Sequence, residues 1–188
     1  MITKVILQKI TTNKIIDNLY FMFYHKKVLT KLSIYLETTI ISYYANSLSP
    51  YLSVAAHQNT TKEWWDTTLP LFDAYISDLV VSEISKGSID QAQARLLAVK
   101  SIPFLKIDQD VLDLSMYLLK KLSLPREGEA DATHLAIAIV HEVDFLLSWN
   151  CKHIANAFKY PLINKIKNQF GYKKPLIICT PLELTRDK

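Results

Sequence analysis

The sequence predicts an α/β protein with a mainly parallel sheet that carries helices on both faces. Short apolar segments typical of strands alternate along the chain with segments whose apolar residues recur at helical spacing. Connections of this kind are right-handed crossovers, and they set successive strands parallel. The composition of the 188 residues, 49% hydrophobic and 21% charged, is that of a globular protein with one well-buried core.

The chain is predicted to divide into an N-terminal extension of uncertain structure, residues 1–30, and one domain, residues 31–188. The extension holds five lysines and one acid, so it accounts for the whole formal net charge of +4. No apolar run approaches the roughly 18 residues of a membrane span, which predicts no membrane association. The two cysteines, Cys151 and Cys179, show neither disulfide nor metal spacing. A reducing, cytoplasmic location is therefore predicted.

Five short apolar runs are predicted to form the strands of the sheet. They are residues 33–36, 74–80, 104–107, 145–149 and 176–179. Each is bounded by a segment with helical periodicity, which places a crossover between successive strands.

Four segments are predicted to be helices. They are residues 54–69, 88–100, 108–122 and 127–143. Ser88 stands where an N-cap residue is expected, before apolar residues at helical spacing. The third helix has acids in its first turn and lysines in its last, which matches the helix dipole. The fourth also begins with acids and carries an apolar stripe behind them.

Polar side chains stand near the carboxyl ends of the predicted strands. Glu37, in the stretch "YLETTIIS", follows the first strand, Glu83 follows the second and Asn150 follows the fourth. Asp131 lies in the first turn of the helix that leads into the fourth strand. Ligands of parallel sheets bind in the crevice beyond the carboxyl ends of the strands. We therefore expect these four side chains to converge.

The converging carboxylates predict a divalent metal site. Neighbouring carboxylates repel one another and raise each other's pKa unless positive charge offsets the repulsion. No lysine or arginine recurs beside them at matching offsets. Mg²⁺ and Mn²⁺ prefer such oxygen ligands. The sequence thus predicts a Mg²⁺ or Mn²⁺ ion held by Glu37, Glu83 and Asp131, with Asn150 as a fourth catalytic residue.

Each of these residues also has an ordinary structural explanation. Glu37 at a strand end can reach solvent, and acids such as Glu83 and Asp131 are favoured at helix starts by the dipole. Asn150 is a common turn or N-cap residue. Glu129 is the alternative to Asp131 as a site residue. Side chains two residues apart point in different directions around a helix, so only one of the two can face the site.

Other polar residues lie near the predicted site. Thr38 or Thr39 is positioned to steady the first glutamate or to touch the metal shell. His134 is more typical of a core or groove histidine than of a ligand. His153, three residues after Asn150, can meet a phosphate or lie on the surface, and both explanations stay open.

A basic segment follows the fourth predicted strand. No acid occurs between Asp144 and Glu183, whereas six lysines occur there, interleaved with aromatic residues. Lysine charges and stackable rings suit a nucleic-acid backbone and unstacked bases, and a solvated helix face is the alternative. The sequence contains no G-x-G-x-x-G, P-loop, G-x-S-x-G or zinc-ligand motif, so those chemistries are not predicted.

Three stretches resemble the PIN-domain family, and in particular VapC-type toxins of bacterial toxin–antitoxin systems. They are "IYLETTIISYY", "LVVSEISKG" and "EADATHLAIAIVHEVDFLLSWNCKHIAN". The third stretch is long and specific, and the resemblance runs from about Ser33 to Glu183. Many family members have aspartate where Glu37 and Asn150 stand, so these two positions depart from the common pattern.

The resemblance implies a PIN-like three-layer α/β/α sandwich and a metal-dependent endoribonuclease that hydrolyses RNA phosphodiester bonds. It also implies a cognate antitoxin protein and a homodimer. Under this hypothesis Glu37 and Asp131 bind one or two ions, Glu83 completes the shell or orients the attacking water, and Asn150 holds a water or a phosphate oxygen. The alternatives are a non-catalytic module of the same fold that binds RNA or an antitoxin, and a metal nuclease acting on structured DNA or a phosphatase.

Overall fold

The computed structural model describes residues 31–185, apart from the side chain of Arg126. The predicted extension, residues 1–30, lies outside the described residues. Five strands occur in the described range. They are β1 (Leu32–Leu36), β2 (Phe72–Ser77), β3 (Phe104–Leu105), β4 (Phe145–Leu147) and β5 (Ile177–Cys179).

Seven α-helices connect or follow these strands within the same range. They are α1 (Thr38–Ala45), α2 (Leu52–Thr67), α3 (Asp78–Ile84), α4 (Ile89–Val99), α5 (Gln109–Lys121), α6 (Glu129–Val140) and α7 (Tyr160–Gln169). Helix α1 packs against α2 and α4, and α5 packs against α6. None of the described helices is both long enough and apolar enough to cross a membrane.

The five strands form one sheet in the order β3-β2-β1-β4-β5, and every neighbouring pair is parallel. Ile34 of the central strand lies between Ala74 and Phe145 of its neighbours. Three successive residues, Ile34 to Leu36, are fully buried, which requires helices on both faces of the sheet. The predicted class, a three-layer α/β/α sandwich with a central parallel sheet, is confirmed.

The strand order reverses between β1 and β4. Strands β2 and β3 add to one side of β1, and the chain then returns to place β4 and β5 on the other side. Such a reversal opens a crevice at the carboxyl ends of the two strands, because their following segments leave in opposite directions. The main-chain N–H of Glu37 donates to the carbonyl of Leu147 at 3.1 Å, so the ends of β1 and β4 lie side by side there.

The second predicted strand, residues 74–80, is wrong at its carboxyl end. Strand β2 ends at Ser77, and the next seven residues form α3. Ser77 is the N-cap, its Oγ accepting from the N–H of Val80, and Asp78 lies in the first turn, where the dipole favours an acid. Glu83 therefore lies in the last turn of a short helix and not directly after a strand.

Two further helices, α1 and α7, were not predicted from the sequence. The sequence of α1, "TTIISYYA", is rich in β-branched and aromatic residues, which favour strands. Its N-cap is Glu37, whose side chain accepts from the N–H of Thr39 and so starts a helix despite that preference. Helix α7 has Pro161 in its first turn, a position that tolerates the missing N–H.

The four helices that were predicted are present with shifted ends. Helix α2 ends at Thr67 and α6 ends at Val140, two and three residues before their predicted ends. Asp108 caps α5 by accepting from the N–H of Val111 at 3.1 Å. Ser88 is the N-cap residue of α4 as predicted, but its side chain forms no capping hydrogen bond there.

Candidate functional site

Glu37 is a buried carboxylate at the carboxyl end of β1, with 5% of its surface exposed. Its Oε2 accepts from the N–H and hydroxyl of Thr39, at 3.2 and 2.5 Å, and from the hydroxyl of Ser148 at 2.8 Å. All three hydrogen bonds fall on Oε2. The carboxylate is therefore fixed through one oxygen, and Oε1 takes part in none of these bonds.

Glu83 reaches the same crevice from the last turn of α3. Its Oε2 accepts from the hydroxyl of Thr38 at 2.5 Å and lies 3.0 Å from Nε2 of His134. The end of α3 is held in turn by Arg95, a buried residue of α4 that donates to the carbonyls of Ile84 and Lys86. Contacts from three helices, α1, α4 and α6, thus determine where the Glu83 carboxylate lies.

His134 is 1% exposed and is bound on both sides. Its Nδ1 lies 2.8 Å from the hydroxyl of Tyr35, which lies 2.7 Å from the hydroxyl of Ser77. Both hydroxyls belong to fully buried residues of the central strands. The imidazole is consequently held in one orientation by the sheet, with Nε2 toward Glu83.

The surroundings of Glu83 favour its ionised form. Burial by itself raises the pKa of this carboxyl, but the hydrogen bonds from His134 and Thr38 and the positive charge of His134 and Lys86 lower the pKa by more. Burial also raises the pKa of the Tyr35 hydroxyl well above its usual range, and the negative charges of Glu37 and Glu83 add to that effect. The tyrosine therefore stays protonated and able to donate.

Glu37, Glu83 and His134 form a candidate metal group, since one ligand atom from each lies within 4.8 Å of the others. Ligands of one octahedral ion with bonds of about 2.1 Å are separated by about 3 to 4 Å. The three side chains thus need only a small adjustment to share an ion. Among the described side chains, no lysine or arginine forms an ion pair with either glutamate. A donor set of two carboxylates and an imidazole without a lysine or arginine ion pair fits a divalent cation.

Asp131 belongs to a second group, which we name the Asp131 cluster: Asp131, Asn150 and His153. The amide nitrogen of Asn150 donates to Oδ1 of Asp131 at 2.8 Å, and Nδ1 of His153 lies 2.9 Å from its Oδ2. Asn150 in turn accepts from the main-chain N–H of His153 at 3.0 Å. Both oxygens of Asp131 are thereby engaged, and within residues 31–185 it is outside the close metal group.

Ser148 connects the metal group to the Asp131 cluster. Its fully buried hydroxyl donates to Glu37 and accepts from the main-chain N–H of Asn150 at 2.9 Å. Thr39 makes a parallel connection, because its hydroxyl donates to Glu37 and accepts from the N–H of Trp149 at 2.9 Å. The ends of β1 and β4 therefore carry one continuous hydrogen-bond network.

The four predicted site residues are divided between the two connected groups. Glu37 and Glu83 lie together, Asn150 lies with Asp131, and the competing Glu129 is exposed. The role of Asp131 as a metal ligand stays a prediction. Of the two threonines considered, Thr39 binds the first glutamate and Thr38 binds the second.

Sequence reasoning missed Ser148, and it interpreted His134 as a core or groove histidine, which agrees with its burial, without predicting its contact with Glu83. His134 follows Asp131 by three residues, a spacing that puts both on one side of α6. Ser148 is a polar residue at the end of the apolar run "FLL", just as Glu37 is at the end of β1. These two signals could have identified them.

Several lysines of the basic segment have structural partners. Lys167 is buried, and its ammonium donates to the carbonyls of Tyr172 and Lys174. Lys174 pairs with Asp144 at 3.0 Å. These contacts hold the chain segment between α7 and β5.

Lys152 and Lys159 lie closer to the site. Burial lowers the pKa of Lys159, the charge of Asp131 raises it and the charge of Lys152 lowers it, with a net decrease. Lys159 therefore lies within electrostatic range of Asp131 and of Lys152, and Lys152 precedes His153 directly in the chain.

Comparison with known proteins identifies no relative: no family model matches the chain, and no curated protein matches it. The case for a function therefore depends on the chemistry of the site. That chemistry is a buried glutamate, a half-buried glutamate, a buried imidazole and an aspartate cluster at the switch point of a parallel sheet.

Proposed function

We propose that this chain is a Mg²⁺- or Mn²⁺-dependent endoribonuclease. One observation carries the proposal. Glu37 and Glu83 converge in the crevice between β1 and β4, and no lysine or arginine among the described side chains forms an ion pair with them. Two carboxylates held this close together, one buried and one half-buried, repel each other, and a divalent ion offsets that repulsion.

Glu37 and Glu83 are the residues that would hold the ion. A bound divalent cation supplies Lewis-acid activation of water and stabilises negative charge on the transferring phosphoryl group. Thr39 and Ser148 hold Oε2 of Glu37, and Thr38 holds Oε2 of Glu83, so the position of each carboxylate is fixed before an ion binds. Fixed carboxylates need little reorganisation during the reaction.

The Asp131 cluster is suited to the phosphate side of the reaction. Hydrolysis adds water across a P–O bond, and the two new ends are a hydroxyl and a phosphate. Asn150 and His153 are held in position by their hydrogen bonds to Asp131, and we assign them the contact with a phosphate oxygen of the substrate. Lys159 lies within electrostatic range of Asp131, and together with Lys152 it would contact the RNA backbone.

The proposed biological role is that of the toxin in a toxin–antitoxin pair. The resemblance of three stretches to VapC-type PIN domains supports this role, together with a cognate antitoxin and a homodimer as partners. The α/β/α architecture with order β3-β2-β1-β4-β5 is compatible with that family's three-layer sandwich. The site itself supports the metal chemistry alone.

A cleavage assay tests the proposed activity. Purified full-length protein is incubated with single-stranded RNA, single-stranded DNA or a phosphomonoester, in Mg²⁺, Mn²⁺ or EDTA. We expect cleavage of RNA that requires the metal and is lost in Glu83→Gln. The matched control is Glu129→Gln, an exposed glutamate of α6 that should keep wild-type activity.

Two outcomes would replace the proposal. Binding of RNA without cleavage, unchanged by Glu83→Gln, would favour the non-catalytic module that binds RNA or an antitoxin. Metal-dependent cleavage of DNA or of the phosphomonoester in preference to RNA would favour a DNA nuclease or a phosphatase.

A further inference from the structure

We propose that His134 is a metal ligand through Nε2, and that the site consequently prefers Mn²⁺ and other first-row transition ions to Mg²⁺. This inference depends on the proposed metal site at Glu37 and Glu83 and extends it. Its basis is the position of a buried imidazole nitrogen within 4.8 Å of a ligand oxygen on each of the two glutamates.

The contact of Nδ1, on the far side of the His134 imidazole, is of the kind found in metal-binding histidines. A histidine bound to a metal through one nitrogen usually directs its other nitrogen to a protein partner, which fixes the ring. Here Nδ1 of His134 lies 2.8 Å from the hydroxyl of Tyr35, and Tyr35 is fully buried. The ring therefore cannot turn toward solvent without breaking a buried hydrogen bond.

The hydroxyls of Tyr35 and Ser77 are compatible with both tautomers of the His134 imidazole. A hydroxyl can donate or accept, and Tyr35 is followed by a second hydroxyl, that of Ser77, at 2.7 Å. With the proton on Nε2, His134 donates to Glu83 and accepts from Tyr35. With the proton on Nδ1, His134 donates to Tyr35, and the lone pair of Nε2 becomes available to a cation. Neither arrangement leaves Nδ1 without a partner.

The ligand set then determines which metal is favoured. Mg²⁺ prefers oxygen ligands, whereas imidazole suits the transition ions, whose affinity rises from Mn²⁺ toward Cu²⁺. Two carboxylates alone would discriminate weakly between Mg²⁺ and Mn²⁺. Addition of the His134 nitrogen shifts the preference to Mn²⁺ and to the ions that follow it in that order.

Electron spin echo spectroscopy of bound Mn²⁺ tests the assignment directly. A coordinated imidazole nitrogen modulates the Mn²⁺ echo, and a histidine with a purely structural role does not. We expect ¹⁴N modulation in the full-length wild-type protein and its loss in His134→Gln. The control is His153→Gln, which removes the imidazole of the neighbouring cluster and should keep the modulation.

Binding measurements give an independent readout. Titration calorimetry should show that His134→Gln weakens Mn²⁺ binding by about 10- to 100-fold and Mg²⁺ binding by about 3-fold or less. Tyr35→Phe keeps the imidazole and removes only the partner of Nδ1. We expect it to weaken Mn²⁺ binding by several-fold while the ¹⁴N modulation remains.

The outcomes separate this inference from the proposed function. Absence of ¹⁴N modulation from wild-type protein with bound Mn²⁺ overturns the ligand role without any variant having to fold. If Glu37→Gln abolishes Mn²⁺ binding while His134→Gln leaves affinity and modulation unchanged, the metal site stands and the role of His134 fails. If Glu37→Gln binds Mn²⁺ as wild type does, both fail.

Discussion

Carboxylates at the two ends of the β1–β4 strand pair differ in whether they have a lysine or arginine partner. At the amino ends, Oδ2 of Asp144 accepts from the N–H and hydroxyl of Ser33 at 2.8 and 2.7 Å, and its Oδ1 pairs with Lys174 at 3.0 Å. At the carboxyl ends, Glu37 and Glu83 accept hydrogen bonds on one oxygen each. Among the side chains that the structure describes, neither has a lysine or arginine partner within ion-pair distance.

The difference separates a carboxylate used for stability from a pair suited to bind a cation. Burial raises the pKa of Asp144, but the Ser33 hydrogen bonds and Lys174 lower it by more, so its charge is met within the protein. Within the described residues, the two glutamates accept hydrogen bonds from hydroxyl and main-chain groups and contact His134, but neither forms an ion pair with a lysine or arginine. An acidic residue after a parallel strand is therefore informative when its counter-ion is missing.

Substitution of Glu37 should have the largest effect on activity. Glu37→Gln removes one charged ligand, and we expect metal-dependent RNA cleavage to fall about 100-fold or more. In EDTA the free energy of unfolding should change by less than about 1 kcal/mol, because the amide oxygen can accept the same hydrogen bonds and the repulsion from Glu83 is relieved. Initial cleavage rates and urea unfolding measure the two quantities. A large loss of stability together with the activity would contradict the functional assignment.

Substitution of Asp144 should show the reverse pattern. Asp144→Asn is expected to lower the free energy of unfolding at pH 7 by about 1 to 2 kcal/mol, since charge-assisted hydrogen bonds are lost from a partly exposed group. Cleavage per folded molecule should stay as in wild type. Urea unfolding monitored by circular dichroism gives the stability, and the cleavage assay gives the activity.

The Asp144 effect should depend on pH with a definite sign. The folded-state pKa of Asp144 is lowered, so its stabilisation is complete above the unfolded pKa of about 4. It is lost as the pH falls through the lower folded-state pKa. The difference in stability between wild type and Asp144→Asn should therefore persist from pH 7 to about pH 5 and shrink below about pH 4. A difference that grows on acidification would exclude this explanation.

Substitution of Asp131 distinguishes a ligand from a positioning residue. In Asp131→Asn the hydrogen bonds that hold Asn150 and His153 are weakened, and we expect cleavage to fall about 10-fold. Mn²⁺ affinity should fall much less than in Glu37→Gln, because Asp131 lies outside the close group. An equal loss of Mn²⁺ affinity in both variants, measured by calorimetry, would make Asp131 a ligand, as the sequence alone predicts.

The smallest effect is expected from the two lysines of the proposed RNA contact. Replacement of Lys152 and Lys159 by alanine should weaken binding of single-stranded RNA several-fold at low salt. The dependence of log affinity on log salt concentration should become shallower by about 1.4, or about 0.7 for each phosphate that a lysine no longer neutralises. The matched control replaces Lys165 and Lys173, which are exposed. Fluorescence anisotropy measures the RNA affinity. Equal effects of both double variants would show that Lys152 and Lys159 contribute no more to RNA binding than the control lysines do.

The parallel sheet could be predicted from the sequence, whereas the short helices α1 and α3 could not. Strands at 33–36 and 145–149 were predicted because their apolar runs are continuous, as burial on both faces requires, although β4 ends at Leu147, two residues before its predicted end. Helices α1 and α3 were missed because β-branched residues favour strands locally. Side-chain capping by Glu37 and Ser77 overrides that preference, and capping depends on which way a side chain turns.

The sequence predicted that polar side chains lie near the carboxyl ends of the strands, but it did not predict that they divide into two hydrogen-bonded groups. The strand-end rule predicted that Glu37 and Asn150 lie near each other, and Ser148 connects them, because parallel strands bring their carboxyl ends together. It could not show that Asp131 bonds to Asn150 while His134, one helical turn later, bonds to Glu83. That division depends on the rotation of α6 about its own axis, which tertiary packing determines.

Anomalous diffraction from crystals of the full chain soaked in Mn²⁺ tests the central claim most directly. We expect a manganese peak bonded to carboxylate oxygens of both Glu37 and Glu83, at about the 2.1 to 2.2 Å typical of small divalent ions. Asp144, already paired with Lys174, should show none. A peak bound elsewhere, with the two glutamates neutralised by a lysine or arginine side chain, would contradict a metal-dependent function at this crevice.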